Sequence, residues 1–299
     1  MTICSTLDRQ LEHVTAGGHL TVPEITALAV APDILPLGML ADVVRRRIHG
    51  KRITYLRVAA CACDKSHVDE VPFGAQEIRI VGTPASLDAA MTSVQMVRAV
   101  AGDRVVSGFS WGDVDRMAAA AGLPVSRVLA TLHSAGLEAL VDVPLDAVED
   151  ADHVVSSLLD AGFRQLRLTI EKAPASDRQG LMERASGLQK QYGSIQAINP
   201  LPTALPPFRP TTGYEDVKAV AIARLVAPNI ATIQVNWLRY GPKLAQVALT
   251  FGADDLDAVS ASDEAPEGRR RAPLEEVHRN VEAAGLSPTE RDGHFNAVA

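Results

Sequence analysis

Cysteine is scarce in this chain: three cysteines among 299 residues exclude a fold held together by a disulfide framework. This scarcity fits a reducing compartment, and we expect the cytoplasm. No run of about 18 uncharged apolar residues occurs, so the sequence predicts no transmembrane helix. The first residues, MTICSTLDRQLEHV, show no basic segment followed by an apolar one, so they predict no secretory signal.

Basic residues are also outnumbered, because 29 lysines and arginines stand against 36 acidic residues and leave a net charge of −7. The dense basic runs, residues 45–47 and 269–271, are short and suit a solvated face or loop. A nucleic-acid partner would need a basic face, so the composition disfavours one. A hydrophobic content of 47% supports a well-buried core instead.

The Gly-rich phosphate loops G-x-G-x-x-G and G-x-x-x-x-G-K-[ST] are both absent, while strand and helix patterns alternate through the middle of the chain. This combination favours a parallel (β/α) barrel over a doubly wound sheet. The strand candidates are 53–61, 77–82, 104–109, 139–145, 165–171, 194–202, 232–237 and 253–259. We predict one domain: a TIM-like barrel over residues 53–260, a helical segment before it (1–52), and a loop and C-terminal helix packed on it (261–299).

Several phrases, read in order, resemble one enzyme family. They are LPLGMLADVVRRRIHGKRITY, QEIRIVGTP, LHSAGLEAL and EEVHRNVEAAGLSPTERDGHFN, together with the long phrase PTTGYEDVKAVAIARLVAPNIATIQVNWLRYGPKLAQVALTFGADDLDAV. Over residues 30–296 the chain resembles the group formed by aminofutalosine synthases, dehypoxanthine futalosine cyclases and deazaflavin-cofactor synthases. The resemblance implies a radical S-adenosylmethionine barrel and a place in menaquinone or deazaflavin biosynthesis.

The resemblance also implies a [4Fe–4S] cluster held by C-x₃-C-x₂-C just after the first strand. Here that place reads AACACDKSHVDEVPFGAQEI, which contains Cys61 and Cys63, while Cys4 lies near the N-terminus. Residues 64–76 are too few for a cluster loop and a crossover helix together. We therefore predict a deletion, an incomplete barrel, and strands 53–61 and 77–82 that lie adjacent and parallel without a full helix between them.

Two further positions depart from the family pattern. Gly82-Thr83-Pro84 stands where the family has a Gly-Gly pair that receives the methionine amine, and Pro84 has no N–H to offer. Ala258-Val259 follow GADDLD where the family has Gly-Thr. The chain is thus interpreted as a degenerate family member, and we expect no cofactor and no [4Fe–4S] cluster, with S-adenosylmethionine binding left open.

The sequence offers two interpretations of its C-x-C pair. Cys61, Cys63 and His67 could hold a metal ion, although this spacing is loose for zinc and no fourth ligand is evident. Alternatively, the two cysteines pack as small apolar groups. We expect no metal.

Candidate ligand-binding residues follow from the barrel, whose ligand site lies at the strand C-termini. Asn236 and Trp237 end the seventh strand, and the indole either stacks on a ligand or packs in the core. The remaining candidates have alternatives as caps, turns or loop residues: Asp254, Asp255 and Asp257 near the eighth strand, Asn199 and Thr212 after the sixth, and Asp113 after the third.

Two functions fit these observations. The first is a non-catalytic homologue in menaquinone biosynthesis that binds a ligand or a partner, as a homodimer or with an active family enzyme. The second is a cofactor-independent lyase, hydrolase or isomerase acting on a futalosine-like nucleoside or a related aromatic acid. Such an enzyme would need an acid and a base at the strand C-termini.

Overall fold

The computed structural model describes residues 3–68, 70–204, 212–265, 267–268 and 270–298, with side chains from residue 6 onward. Eight parallel strands pair in chain order, and the eighth pairs with the first, so the sheet closes. This arrangement confirms the predicted TIM-like barrel. Its strands are β1 (Arg52–Ala62), β2 (Glu77–Val81), β3 (Val105–Ser110), β4 (Ala139–Pro144), β5 (Leu166–Ile170), β6 (Ile195–Pro202), β7 (Thr232–Asn236) and β8 (Asp255–Ser260).

Helices surround the strands, and several bury an aliphatic stripe, as the first helix after β2 does with Val94 and Val97. Such a stripe is what helical periodicity requires of a helix that covers a sheet. The helices after β2 are α4 (Leu87–Ala101), α5 (Trp111–Ala121), α6 (Val125–Ala135), α7 (Ala151–Asp160), α8 (Ala175–Tyr192), α9 (Gly213–Val226), α10 (Trp237–Thr250) and α11 (Pro273–Ala283).

Three helices precede the barrel, as predicted: α1 (Ile3–Thr15), α2 (Val22–Val30) and α3 (Leu35–His49). Helix α3 packs mainly against α9 and leads directly into β1. Its Gly38 lies against the Phe251 ring, where a Cβ would come within 2.7 Å of a ring carbon. Phe251 caps the C-terminus of α10, so this glycine lets α3 approach the end of α10 closely, and the segment forms part of the barrel's outer layer.

The connection between β1 and β2 contains no helix in its described residues, 63–68 and 70–76. The two strands are adjacent and parallel, with Cys61 level with Ile80, which confirms the predicted short connection. The prediction of an incomplete barrel is correct only for the helix layer, because the strands themselves close. Helix α11 covers part of the outer face, since the Tyr55 hydroxyl lies 2.8 Å from Nε2 of His278.

The C-terminal extension contains more than the predicted helix. Strand β9 (Ser287–Glu290) follows α11 and pairs in parallel with residues 52–55 of β1. It fits there because β2 pairs only with residues 58–62. Residues 291–298, called the tail turn below, then pass under the barrel at the strand N-termini. The division at residues 52 and 260 stays a prediction.

None of the described helices is both long and apolar enough to cross a lipid bilayer.

Candidate functional site

The end of the barrel at the strand C-termini, called the mouth below, is open to solvent. Val81 at the end of β2 is 40% exposed, and Ala60 on β1 and Ser260 on β8 are exposed as well. Below this rim the interior is closed by charged side chains. Any ligand site within the barrel is therefore shallow and confined to the mouth.

The charged layer beneath the mouth is an ion pair between β2 and β8. Nη1 and Nη2 of Arg79 lie 2.9 and 2.8 Å from the two carboxylate oxygens of Asp257, and both side chains are buried. Arg79 also donates to Glu77 at 2.6 and 3.0 Å. Bidentate arginine–carboxylate pairs of this kind hold both partners in a fixed orientation.

Deeper in the barrel the pairing continues to the opposite end. Glu77 accepts hydrogen bonds from Arg167 at 2.6 Å and from the Ser107 hydroxyl at 2.6 Å. Arg291 from the tail turn pairs with both carboxylate oxygens of Asp255 at 2.6 and 2.8 Å. Three buried carboxylates thus meet three buried arginines. We call this set the interior network; it consists of Glu77, Arg79, Ser107, Arg167, Asp255, Asp257 and Arg291.

The directions in which the pKa values of the buried carboxyl groups are shifted agree with this pairing. Burial alone would raise the pKa of Glu77, but Arg167 and Arg79 outweigh it and hold the pKa below its usual value. Burial likewise opposes ionisation of Asp257, and Arg79 again lowers the pKa of that carboxyl. Both groups are therefore charged at neutral pH, as a buried paired carboxylate must be.

Asp142, on β4, differs from these carboxylates. It makes no hydrogen bond or ion pair with another described residue, and it is partly buried. It is level with Ser110, the last residue of β3, which places it near the mouth, and the charges that act on it are those of Arg239, Arg79, Asp257 and Asp113. Burial raises the pKa of Asp142, and the two arginines only partly offset this. An unpartnered, partly desolvated carboxylate is a typical feature of a functional site.

Sequence reasoning missed Asp142, because a single acid within the strand phrase ALVDVPL carries no recognisable spacing. It also missed Thr169 on β5, whose buried hydroxyl has no hydrogen-bond partner among the described residues. Thr169 alternates along its strand with Leu168 and Ile170, which pack in the outer core, so its side chain faces the barrel interior.

Residues Gly108 to Gly112 form a G-x-S-x-G pattern that sequence reasoning also overlooked. Ser110 joins β3 to α5, as this motif does in hydrolases. Its hydroxyl, however, takes part in a capping box with Asp113, at 2.8 and 3.1 Å. The motif therefore starts a helix, and Asp113 is a capping residue that also pairs with Arg116.

Asn236 and Trp237 lie at the end of β7, as predicted, but in structural roles. The side-chain oxygen Oδ1 of Asn236 accepts from the backbone N–H of Arg239 at 2.9 Å and caps α10. Trp237 is 6% exposed and packs in the hydrophobic core. The exposed stacking face considered for the indole is thus not present, because the first turn of α10 directs it inward.

The expected position is wrong for two of the three aspartates near β8. Asp254 and Asp255 lie at the N-terminal end of β8, opposite the mouth, and only Asp257 approaches the mouth. Asp254 pairs with the buried Arg224 and accepts from the backbone N–H of Ile233. The predicted strand 253–259 already has these two aspartates near its N-terminal end, so the prediction assigned them to the wrong end of a strand whose position was nearly correct.

The two candidates after β6 also serve the local backbone. Asn199 is buried, and its side-chain oxygen accepts from the N–H of Leu201 at 3.0 Å. Thr212 caps α9 by accepting from the N–H of Glu215 at 3.3 Å. Neither arrangement excludes a ligand contact through the remaining polar atoms, and their ligand role stays a prediction.

Cys61 and Cys63 lie at the C-terminal end of β1. Cys61 belongs to the hydrophobic core, and Cys63 is partly buried against it, beside Gly82. Burial raises the pKa of the Cys63 thiol, and the charges of Asp64 and Asp113 add to the effect. A protonated thiol is a poor metal ligand. Among the described residues, no three His, Cys, Asp or Glu side chains are grouped as a metal site, and His67 is exposed.

Several curated proteins are similar to this chain in amino-acid sequence over most of their length. The 5-amino-6-(D-ribitylamino)uracil–L-tyrosine 4-hydroxyphenyl transferase of Archaeoglobus fulgidus is 29% identical, over 78% of this chain and 78% of its own. Aminodeoxyfutalosine synthase of Thermus thermophilus is 24% identical, over 96% and 94%. Cyclic dehypoxanthine futalosine synthase of Streptomyces coelicolor is 21% identical, over 97% and 88%.

Solved structures share the fold. The [FeFe]-hydrogenase maturase HydG from Carboxydothermus hydrogenoformans superposes with a TM-score of 0.68 at 13% identity, over 95% of this chain and 79% of that one. Methylornithine synthase (PylB) superposes with a TM-score of 0.63 at 15% identity, over 96% and 98%.

These comparisons correct the expectation that no cofactor is involved. The relatives and fold neighbours are radical S-adenosylmethionine enzymes that use a [4Fe–4S] cluster and S-adenosylmethionine, and the structure does not rule out their use. The described side chains at the end of β1 supply two thiols, one fewer than the three-cysteine motif. They do not complete that ligand set by themselves, and the side chain of Cys4 lies outside the described ones.

The C-terminal phrases that carried the resemblance are confirmed by a family model. Residues 207–298, which include β7, β8, α11 and β9, match the CofH/MqnC C-terminal region. The chain is therefore a relative of the futalosine synthases and the ribitylaminouracil–tyrosine transferases, with a match to the CofH/MqnC C-terminal region over residues 207–298 and a barrel fold shared with the solved structures above.

Proposed function

We propose that this chain is a ligand-binding homologue of the futalosine-route and deazaflavin-route enzymes, and that its mouth binds a small, hydroxylated, nucleoside-like molecule. The observation that carries the proposal is Asp142, a carboxylate at the mouth that has no partner among the described residues and lies next to a layer of paired charges. The names of the relatives support the ligand class, since they include a ribityl-substituted uracil and futalosines.

The chemistry of the mouth suits such a ligand. Asp142 can accept hydrogen bonds from hydroxyl or amino groups, and the Thr169 hydroxyl can donate or accept. Arg239 is exposed and acts electrostatically on Asp142, so its guanidinium is available to an acceptor on the ligand. Arg79 and Asp257 satisfy each other and serve as a rigid base beneath the ligand rather than as its direct partners.

Calorimetric titration tests this proposal directly. Aminodeoxyfutalosine, 5-amino-6-(ribitylamino)uracil, S-adenosylmethionine and tyrosine would each be titrated into the wild type, into Asp142→Asn and into Asp103→Asn. Asp103 is an exposed acid before β3 and serves as the matched control. We expect D142N to weaken a bound ligand about tenfold or more, as a lost charged hydrogen bond does. Equal affinity in D142N, or no binding to the wild type, would contradict the proposal.

A second candidate function is proton transfer on the same ligand. It is favoured by the raised pKa of Asp142, which brings this carboxyl closer to the range of a general base. An enzyme of this kind would exchange a ligand C–H proton with solvent deuterium, and D142N would abolish that exchange while leaving part of the binding. Binding without exchange in the wild type would leave the first function alone.

A partner or homodimer stays a further proposal. Its support is Phe73, which is 94% exposed on the connection that replaces the first crossover helix. Exposed aromatic side chains are enriched at interfaces. Light scattering alone and with an active family enzyme, for the wild type and Phe73→Ser, would reveal whether this side chain mediates assembly. Location in the cytoplasm likewise stays a prediction.

A further inference from the structure

The tail turn closes the barrel end opposite the mouth and inserts into the interior network. Arg291 is fully buried and pairs with Asp255 through both of its carboxylate oxygens. The Phe295 ring centre lies 4.0 Å from the guanidinium carbon of Arg291 and 5.4 Å from that of Arg167. One aromatic ring thus contacts two arginines of the network, a cation–π arrangement that is strengthened by burial.

The tail turn has the contacts of a defined structure rather than of a loose end. The Asp292 carboxylate accepts from the N–H groups of His294 and Asn296, at 2.9 and 2.8 Å. The Gly293 carbonyl accepts from Arg167 at 3.2 Å, and a Cβ at Gly293 would lie 2.5 Å from Cβ of Val105. Phe295 has a φ of 66°, which a non-glycine residue adopts only when its surroundings compensate.

The tail turn contacts Arg167, and from Arg167 a continuous series of ion pairs leads to the charged layer beneath the mouth. Arg167 lies 2.6 Å from Glu77, Glu77 lies 2.6 Å from Arg79, and Arg79 lies 2.8 Å from Asp257. Glu77 is shared between the two arginines. A change in the hydrogen bonds between Arg167 and Glu77 therefore changes the strength of the interaction between Glu77 and Arg79, because buried charges in a low dielectric are strongly coupled.

We propose that the tail turn positions the Arg79–Asp257 pair beneath the mouth, and that Phe295 is the positioning residue that acts through Arg167 and Glu77. With the ring in place, Arg167 is held against Glu77, and Arg167 and Arg79 each keep their own hydrogen bonds to that carboxylate. Without the ring, Arg167 loses one of its contacts, and the hydrogen bonds of Glu77 to the two arginines change. The effect on ligand affinity depends on the proposed function, whereas the effect on Arg79 does not.

Three variants separate positioning from simple packing. Phe295→Leu retains an apolar side chain at the same backbone conformation but loses the ring face, and Phe295→Tyr restores the ring. Val298→Ala, in an exposed part of the same turn, is the matched control. NMR would measure the hydrogen-exchange rate of the Arg79 Nε–H, whose resonance is assigned by its absence in Arg79→Lys. The ligand affinity of each variant would be measured as well.

We expect F295L to accelerate exchange at Arg79 and to weaken ligand binding several-fold, with F295Y and V298A close to the wild type. Unchanged exchange at Arg79 in folded F295L would overturn the proposal, as would an equal effect in V298A. Should F295L not fold, Phe295→Met gives the same comparison. If the wild type binds none of the ligands, the proposed function fails, but the exchange at Arg79 still decides whether the tail turn positions this pair.

Discussion

Arg79 and Asp257 form a bidentate ion pair across the barrel, with N–O distances of 2.9 and 2.8 Å, although their strands are separated by β1. The pair closes the interior below the mouth and limits a ligand to the rim. Because both side chains are buried, neither can lose the other without leaving a charge in a poorly solvated place.

Arg79→Met should therefore be strongly destabilising. Asp257 would lose its partner, and Glu77 would retain Arg167 alone. Removing one member of a buried pair costs about 3–5 kcal/mol. Urea unfolding followed by circular dichroism would measure this, and Arg79→Met combined with Asp257→Leu should recover part of the loss. A double variant no more stable than R79M would show that the pair is not the source of the effect.

Trp237→Ala should behave as a core truncation. The indole is 6% exposed, so its removal leaves a cavity and should lower the free energy of unfolding by about 3–5 kcal/mol. Leu238, its neighbour in the same helix, is 79% exposed and provides a control, since Leu238→Ala should change stability little. A small effect of W237A, accompanied by loss of ligand binding, would instead return the indole to the ligand site.

Asn236→Ala tests a capping role. The side chain accepts from the N–H of Arg239, and loss of an N-cap typically costs about 1 kcal/mol. Asn236→Asp keeps the acceptor and should retain wild-type stability. Thermal unfolding of both variants measures this difference. If the two variants are equally stable but N236A loses ligand affinity, Asn236 acts on the ligand rather than on α10.

Acid should destabilise the fold through the interior network. Glu77 and Asp257 have depressed pKa values in the folded protein, so they bind fewer protons there than in the unfolded chain, whose values are about 4. Their contribution is complete above that pH and is lost as the pH falls towards their folded values. Chemical unfolding at a series of pH values from neutral downward would measure the decline.

Asp142 should show the opposite sign. Its pKa is raised on folding, so the folded protein holds this proton more tightly and its ionisation costs stability above the unfolded value. D142N should therefore be at least as stable as the wild type at neutral pH, and the difference should vanish in acid. A destabilised D142N at neutral pH would indicate that the carboxylate has a structural partner.

Local sequence patterns were sufficient to predict most of the fold. The strand at 232–236 and the helix that follows it were both recognised, because buried strands are short apolar runs and covering helices carry a periodic stripe. The short β1–β2 connection was also predictable, since residues 64–76 have no room for a crossover helix. The family resemblance, carried by continuous phrases, located the C-terminal region correctly.

The roles of individual residues at the candidate site were harder to predict from the sequence. Asp254 and Asp255 were expected at the mouth, but they lie at the N-terminal end of β8, because the position of a strand in the sequence does not show by itself which of its acids faces a ligand. Asn236 and Trp237 were placed at the correct strand end, yet the direction of a side chain there depends on how the next helix begins.

By itself, the sequence determined a (β/α) barrel with eight candidate strands, its helical N-terminal segment and its relatives, because each depends on local periodicity or on continuous phrases; that the strands close into a complete barrel came from the structure. Only the tertiary structure decided that Glu77, Arg79, Arg167, Asp257 and Arg291 meet inside the barrel, and that Asp142 finds no partner in the part of the chain that the structure describes. These residues come from distant parts of the chain, and charges are matched or left over only when closure of the sheet brings them within hydrogen-bonding distance.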